Sequence, residues 1–331
     1  MEQPIKDPID RQLLLEELTA ERMVRKTTKA ENEVYIFSAA EAPALMQEVG
    51  RLREESFRAS GGGTGEPVDI DEADTIVDGY MQLIVWDPRD EEIVGGYRFI
   101  VCMDENPQNL STEHYFNFSP TFRRKFLPYT IELGRSFVQV KYQARRNPKG
   151  IFALENLWDG LGALMVLNPK VKYFFGKVTM YTTYTPEARN MIIYFMRRFF
   201  ADKDRLMEAI EPLRFDINER ECQELFCASS YEENYRILVQ RVRELGETIP
   251  PLISAYMALS PSMRTFDTFL NTDFGEVEET GILITIPDMY PERRERYMRW
   301  KGWRERLQQR RFRWRQMLLT HKAEGLAAFK G

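Results

Sequence analysis

The sequence predicts an α+β protein with a mixed, largely antiparallel central sheet flanked by helices. Two observations carry this. Helical and strand periodicities follow one another as helix, antiparallel strand pair, then strand, helix, strand, helix, which is the order of a sheet whose central strands flank one helix. The 331 residues are 43% hydrophobic and 29% charged, with mean hydropathy −0.46, enough apolar side chains for a large buried core.

The elements follow in chain order. Residues 10–23 (DRQLLLEELTAERM) read as a helix with an acidic start, and NEVYIFSA at 32–39 as a strand. A helix covers about 41–57, and SGGGTGEP at 60–67 reads as a mobile loop because its glycines leave the backbone unrestrained. YMQLIVW at 80–86 and EIVGGYRFIVC at 92–102, joined by DPRD, form a hairpin. After a polar loop at 104–120 come a strand at 129–140, a helix at 154–167, a long strand at 172–184 and a helix at 186–200. Farther on lie a helix at 231–245, the segment IPPLISAYMALS at 249–260 and a β region ending in GILITI at 281–286.

Single cores stop growing efficiently near about 250 residues, so one core with additions is expected. The divisions are a core at 1–200, a lobe completing it at 201–290 and a basic tail at 291–331. Residues 291–331 hold 13 Lys+Arg and 4 Asp+Glu, a balance of +9, against −14 for residues 1–290.

Composition also excludes chemistries. Three cysteines, Cys102, Cys222 and Cys227, give no C-x-x-C pair, hence neither a disulfide framework nor a zinc site. Two histidines, His114 and His321, exclude a multi-histidine metal centre, and neither stands near a G-x-S-x-G nucleophile elbow. No metal is expected. No apolar run approaches the roughly 18 residues of a membrane span, and the acidic N-terminus lacks the order of a secretory signal. The expected location is the cytoplasm.

Five motifs in order carry a resemblance. They are Leu52-Arg53 with Phe57, the acidic series Asp69, Asp71 and Asp74, VGGYRF at 94–99 with Arg98, ELGRSFVQVKYQ at 132–143, and LENLWDGLGALMVLNPKVKYFFGKVTMY after it. IPPLISAYMALSP and FGEVEETGILITI add to them. The chain resembles the bacterial N-acyltransferases that make ornithine and glycine lipids, a branch of the GNAT superfamily close to acyl-homoserine-lactone synthases. The resemblance implies a GNAT-like fold and transfer of a fatty or 3-hydroxyfatty acyl group from acyl carrier protein to the α-amine of an amino acid, glycine first and ornithine next. The product would be a lyso-aminolipid. No bound cofactor is implied, the donor being acyl-phosphopantetheine on the carrier protein, with acyl-CoA as a second donor.

Forming an amide from a thioester needs a deprotonated amine, an acyl channel and polarisation of the thioester carbonyl, none of which requires a nucleophilic cysteine. Glu132 is the candidate base or amine-orienting group. Arg135, three residues on along the same strand, should leave by the opposite face and hold local structure or the donor. Asp69, Asp71 and Asp74 are candidates for the substrate ammonium or for organising a lid, and Arg53 and Arg98 for binding a carboxylate or phosphate. Acetyl-CoA enzymes of this superfamily carry an R/Q-x-x-G-x-G/A loop that cradles pyrophosphate, whereas QARRNPKGIFALENLW here has only Gly150. Arg145, Arg146 and Lys149 would instead meet an acidic carrier protein.

In the tail, Tyr297, Trp300, Trp303, Leu307, Trp314 and Leu318 fall on one face of a helix with arginines elsewhere. Such a helix fits an anionic membrane surface, on the inner face of the membrane, a dock for the carrier protein, or packing on the protein's own acidic body. No nucleic-acid motif accompanies it. Two rival readings stand beside the acyltransferase: an acyl-homoserine-lactone-type synthase using S-adenosylmethionine, and a membrane-surface protein that has lost the chemistry.

Overall fold

The computed structural model describes residues 2–103, 110–143, 150 and 152–299. The N-terminal half runs α1 (Arg11–Glu17), β1 (Met23–Lys26), β2 (Glu33–Phe37), α2 (Pro43–Arg58), α3 (Glu72–Thr75), β3 (Met81–Asp87), β4 (Glu92–Val101), β5 (Phe116–Phe118), α4 (Pro120–Lys125) and β6 (Thr130–Val138). It continues through α5 (Ala153–Leu167), β7 (Tyr173–Met180), α6 (Pro186–Phe199), β8 (Met207–Ala209), α7 (Glu219–Leu225) and α8 (Tyr231–Glu244). The last elements are α9 (Pro251–Met257), β9 (Arg264–Asn271), β10 (Val277–Thr285) and α10 (Pro291–Met298).

Eight strands form one sheet in the order β1-β2-β3-β4-β6-β7-β10-β9, with β5 and β8 paired separately. Every neighbouring pair is antiparallel except β6 and β7, which run parallel because α5 carries the chain from one to the other. The expected mixed sheet is therefore present, and the region beyond residue 201 supplies two of its strands. One face of the sheet buries Leu133, Phe174 and Val178 against Leu157, Leu161 and Leu164 of α5 and Ile192 and Phe195 of α6. On the other, α2 covers Ile84, Trp86 and Phe137, and an aromatic cluster of Phe116, Phe122, Phe175, Phe266 and Phe269 continues the layer. Successive residues such as Phe174 and Phe175 serve opposite layers, as a pleated strand buried on both faces requires.

Three sequence expectations change. The helix at 10–23 ends at Glu17, and Met23–Lys26 becomes an edge strand because Val24 packs into the α5 layer while β1 pairs with β2. The glycine loop at 60–67 is tied down rather than free. Buried Glu54 accepts from the Thr64 N–H at 2.9 Å, the Thr64 hydroxyl at 2.8 Å and the Gly65 N–H at 2.8 Å, while Arg58 donates to the Glu66 carbonyl at 2.6 Å. The positive φ of Gly61, Gly63 and Gly65 lets the backbone wrap around that carboxylate.

Tyr297 does not belong to an outward aromatic face. It is 3% exposed and stacks on Trp158 of α5 at 5.9 Å, with its carbonyl held by Arg25 Nη1 at 2.9 Å. Gly162 permits this approach, since a Cβ there would sit 2.2 Å from the Tyr297 carbonyl oxygen. The rest of the predicted tail helix, Trp300 onward, lies outside the described residues.

Candidate active site

The site is organised by an irregularity in β6. Arg98 of β4 pairs with Gly134 and Gly96 with Phe137, so Arg135 and Ser136 together oppose Tyr97. This is a β-bulge, and Arg135 takes φ +49° within it. The bulge overturns the expectation that Arg135 leaves by the face opposite Glu132. The extra residue breaks the two-residue alternation and turns the guanidinium back to Glu132's side, where Arg135 shares Asp71 with Arg98.

On its other edge β6 pairs with β7 only from Thr130–Leu133 against Tyr173–Gly176. Beyond that point β6 stays with β4 and β7 with β10, so the two central strands part. The cleft between them is walled by Leu133, Phe174, Ile282, and Leu252 and Tyr256 of α9 toward the α5 side, and carries Arg135 and Lys177 at its polar end. The cleft is narrow, with about 30 Å³ of space for a water-sized sphere.

Glu132 lies behind the β6 wall and is fully buried. Its carboxylate accepts from the Tyr80 hydroxyl at 2.6 Å, the Ser111 hydroxyl at 2.8 Å and the Thr112 hydroxyl at 2.7 Å. Of the three donors, Ser111 alone is partly exposed, and so forms the carboxylate's route outward. Tyr80 also lies beneath the Arg98 guanidinium, 4.8 Å from ring centroid to charge.

The predicted aspartates and arginines are brought together, chiefly with each other. Arg53 is fully buried and donates to Asp74 at 3.2 Å, to the Asp69 carbonyl at 3.4 Å and to Gln82. Arg98 meets Asp71 at 2.6 Å and Asp74 at 3.3 Å. Arg135 Nε stands 3.0 Å from Asp69, with the guanidinium 4.3 Å above the Phe274 ring. Asp71 also caps α3 through a reciprocal pair with Asp74.

The two buried carboxylates respond oppositely to this setting. Burial holds Asp69 above the usual carboxylate range despite Arg135, Arg53 and Arg98, and neither oxygen has an aligned hydrogen-bond donor. Burial acts the same way on Asp74, but Arg53, Arg98 and hydrogen bonds from Gln82 and the Asp71 N–H outweigh it and hold Asp74 below that range. Arg98 is raised further, its two aspartates overcoming burial.

Sequence reasoning missed Lys177 and Glu279. The lysine ammonium is 2.7 Å from Glu279, and Asn271 donates to the same carboxylate oxygen at 2.9 Å. The Tyr115 ring lies 4.2 Å from the ammonium and the Phe269 ring 5.4 Å. Burial pushes Lys177 down against the pull of Glu279, and Glu279 sits below the carboxylate range because Lys177 and Asn271 outweigh its own burial. The available signal was a lysine inside the apolar strand YFFGKVTM and a Glu-Glu pair just ahead of the apolar run GILITI.

Arg145, Arg146 and Lys149 lie outside the described residues. Among the described residues no cluster of three or more His, Cys, Asp or Glu could hold a metal ion, and no helix is long and apolar enough to cross a membrane.

Residues 52–153, which span α2's second half through β6 to the start of α5, match the family model described as an acetyltransferase (GNAT) domain. A protein named glycine N(alpha)-acyltransferase from Phocaeicola vulgatus is 50% identical over 297 residues, covering 88% of this chain and 91% of its own. A protein of the same name from Bacteroides thetaiotaomicron is 50% identical over 304 residues, covering 90% of each. No solved structure matches significantly. The chain belongs to the GNAT N-acyltransferase family of these relatives and is an acyltransferase.

Proposed function

We propose that the chain transfers a fatty or 3-hydroxyfatty acyl group from acyl carrier protein to the α-amine of glycine, making a single-chain acyl-amino-acid lipid. The observation that carries this reading is 50% identity along about nine tenths of the chain to two proteins whose names state glycine N(alpha)-acyl transfer.

The geometry supports the chemistry. The thioester reaches the cleft from its apolar, α5 side and meets the acceptor at the polar end beside Arg135 and Lys177. The amine nitrogen bonds to the carbonyl carbon and the C–S bond breaks, and the departing thiolate takes up the one proton that the amine gives up. The amine's proton passes to buried Glu132 by way of the Ser111 hydroxyl, which donates to that carboxylate at 2.8 Å and is the partly exposed one of its three donors, and Glu132 then gives it up to the leaving thiolate. Backbone groups of the bulge, free of β7 pairing past Leu133, line the place where the carbonyl oxygen gains charge. Carrier protein is the favoured donor because QARRNPKG lacks the glycines of a pyrophosphate cradle, with Arg145, Arg146 and Lys149 as its contacts.

The +9 balance of residues 291–331 supports recruitment to an anionic membrane surface from the cytoplasmic side, each basic residue there contributing on the order of 1 kcal/mol. Since Tyr297 and Arg299 are engaged by Arg25, the membrane-seeking part begins at Trp300.

One experiment tests the whole reading. The full chain and a chain ending at Arg299 are given acyl carrier protein or CoA thioesters, an amino acid and anionic vesicles, and products are read by mass spectrometry. Both chains should make N-acylglycine, with higher kcat/KM from the carrier-protein donor, and only the full chain should sediment with vesicles. An acyl lactone formed from S-adenosylmethionine, or no new product, would overturn the activity. Preference for CoA would overturn the donor, and equal sedimentation the membrane role.

A further inference from the structure

Lys177 and Arg135 face one another across the parted strands, one on each wall of the cleft's polar end. Each is tethered by carboxylates on the side away from its partner: Lys177 by Glu279, Arg135 by Asp69 and Asp71. Each also rests on an aromatic ring, Tyr115 and Phe274 respectively. Both keep spare donors. Among the described residues Lys177 meets one carboxylate with its three N–H groups, and Arg135 Nε, though 3.0 Å from Asp69, has no aligned hydrogen-bond acceptor. The two side chains are 14% and 17% exposed, and that exposure is where they line the cleft.

Two cations so placed are costly. Burial pushes the Lys177 ammonium down, and the charge of Arg135 adds to that push. Partly paired buried charge destabilises a fold unless another group completes it. A planar anion lodged between the two would accept from both and relieve their repulsion.

We propose that Lys177 and Arg135 form a clamp for the α-carboxylate of the acceptor amino acid, holding its amine toward Ser111 and Glu132. The clamp rests on the reading of the chain as an amino-acid N-acyltransferase, and it makes the carboxylate, rather than the amine alone, the feature by which the acceptor is selected. Arg135 belongs to the aspartate network as well, so Lys177 is the residue that isolates the clamp experimentally.

The test measures initial rates with saturating acyl donor for glycine and for glycinamide, which has the amine without the anion. The wild-type chain should prefer glycine strongly. Lys177→Met should raise KM for glycine by about 10- to 100-fold, the effect of losing a hydrogen bond to a charged group, while KM for glycinamide changes far less, so that the preference for glycine over glycinamide collapses. Lys177→Arg should restore most of the glycine KM. Circular dichroism and a thermal melt of each variant check folding independently of activity. Equal use of both acceptors by the wild-type chain would overturn the clamp. So would a fall in kcat for both acceptors in Lys177→Met with KM unchanged, which would make Lys177 a proton carrier instead. A wild-type chain that acylates no amino acid would bring down the activity itself, and shows before any variant is made.

Discussion

The two walls of the cleft bury charge in different ways. On the β6 side three arginines and three aspartates gather into one network in which Arg53 has no exposure and every aspartate faces at least one guanidinium. On the β7 side Lys177 and Glu279 form one short pair with donors to spare. The first arrangement fixes α2, the segment at Asp69 and α3 to the sheet, whereas the second holds a charge ready beside a cleft. A network in which opposite charges are matched one for one builds structure; a charge with donors to spare at a strand opening marks where a ligand completes the site.

Glu132 joins the two walls, through Tyr80 to Arg98 on one side and electrostatically to Lys177 on the other. Glu132→Gln should keep the fold and lower turnover by about 10²- to 10⁴-fold, the usual loss when a general base is removed. Steady-state rates together with circular dichroism measure this. Unchanged turnover in a folded variant would remove Glu132 from the chemistry and leave the β7 side to supply the base.

Next in size is stability. Arg53→Met leaves Asp74 buried beside a lost partner and should cost about 3–5 kcal/mol in chemical denaturation. The double variant Lys177→Met/Glu279→Gln removes an ion pair whose desolvation is poorly repaid, so it should be neutral or stabilising by up to about 4 kcal/mol. Equal losses in the two variants would erase the distinction between the walls.

The smallest effect is a pH dependence within the β6 wall. Asp69 is raised in the fold, so between the ordinary aspartate value of 3.8 and its folded value the native state holds more protons than the unfolded chain. Stability therefore falls as pH rises through that window. Asp74 is lowered, so its contribution is present above 3.8 and is lost as pH falls toward its folded value. Asp69→Asn should abolish the first slope and keep the second. Thermal melts across the acid range would show this, and an unchanged profile would mean that Asp69 is not the titrating group.

What separates those neighbours is hydrogen bonding. Asp74 receives Gln82 and the Asp71 N–H as well as arginines, whereas Asp69 has charges nearby and no aligned donor. Gln82 carries no motif, and only the β2-β3-β4 register brings it beneath Arg53.

The sequence by itself determined the alternation of strands and helices, the hairpin about DPRD, the β6-α5-β7 crossover and the family's acidic and arginine positions. Local periodicity and turn residues write these directly into the chain. Tertiary structure decided which charges meet. One extra residue opposite Tyr97 moved Arg135 to the side of Glu132, and β10, about a hundred residues after β7, set Glu279 beside Lys177. Neither event leaves a local signal, because a bulge and a long-range strand pairing depend on the register of one strand against another. The same reasoning applies to Tyr297, whose spacing suits an exposed aromatic face but which a glycine on α5 draws into the core.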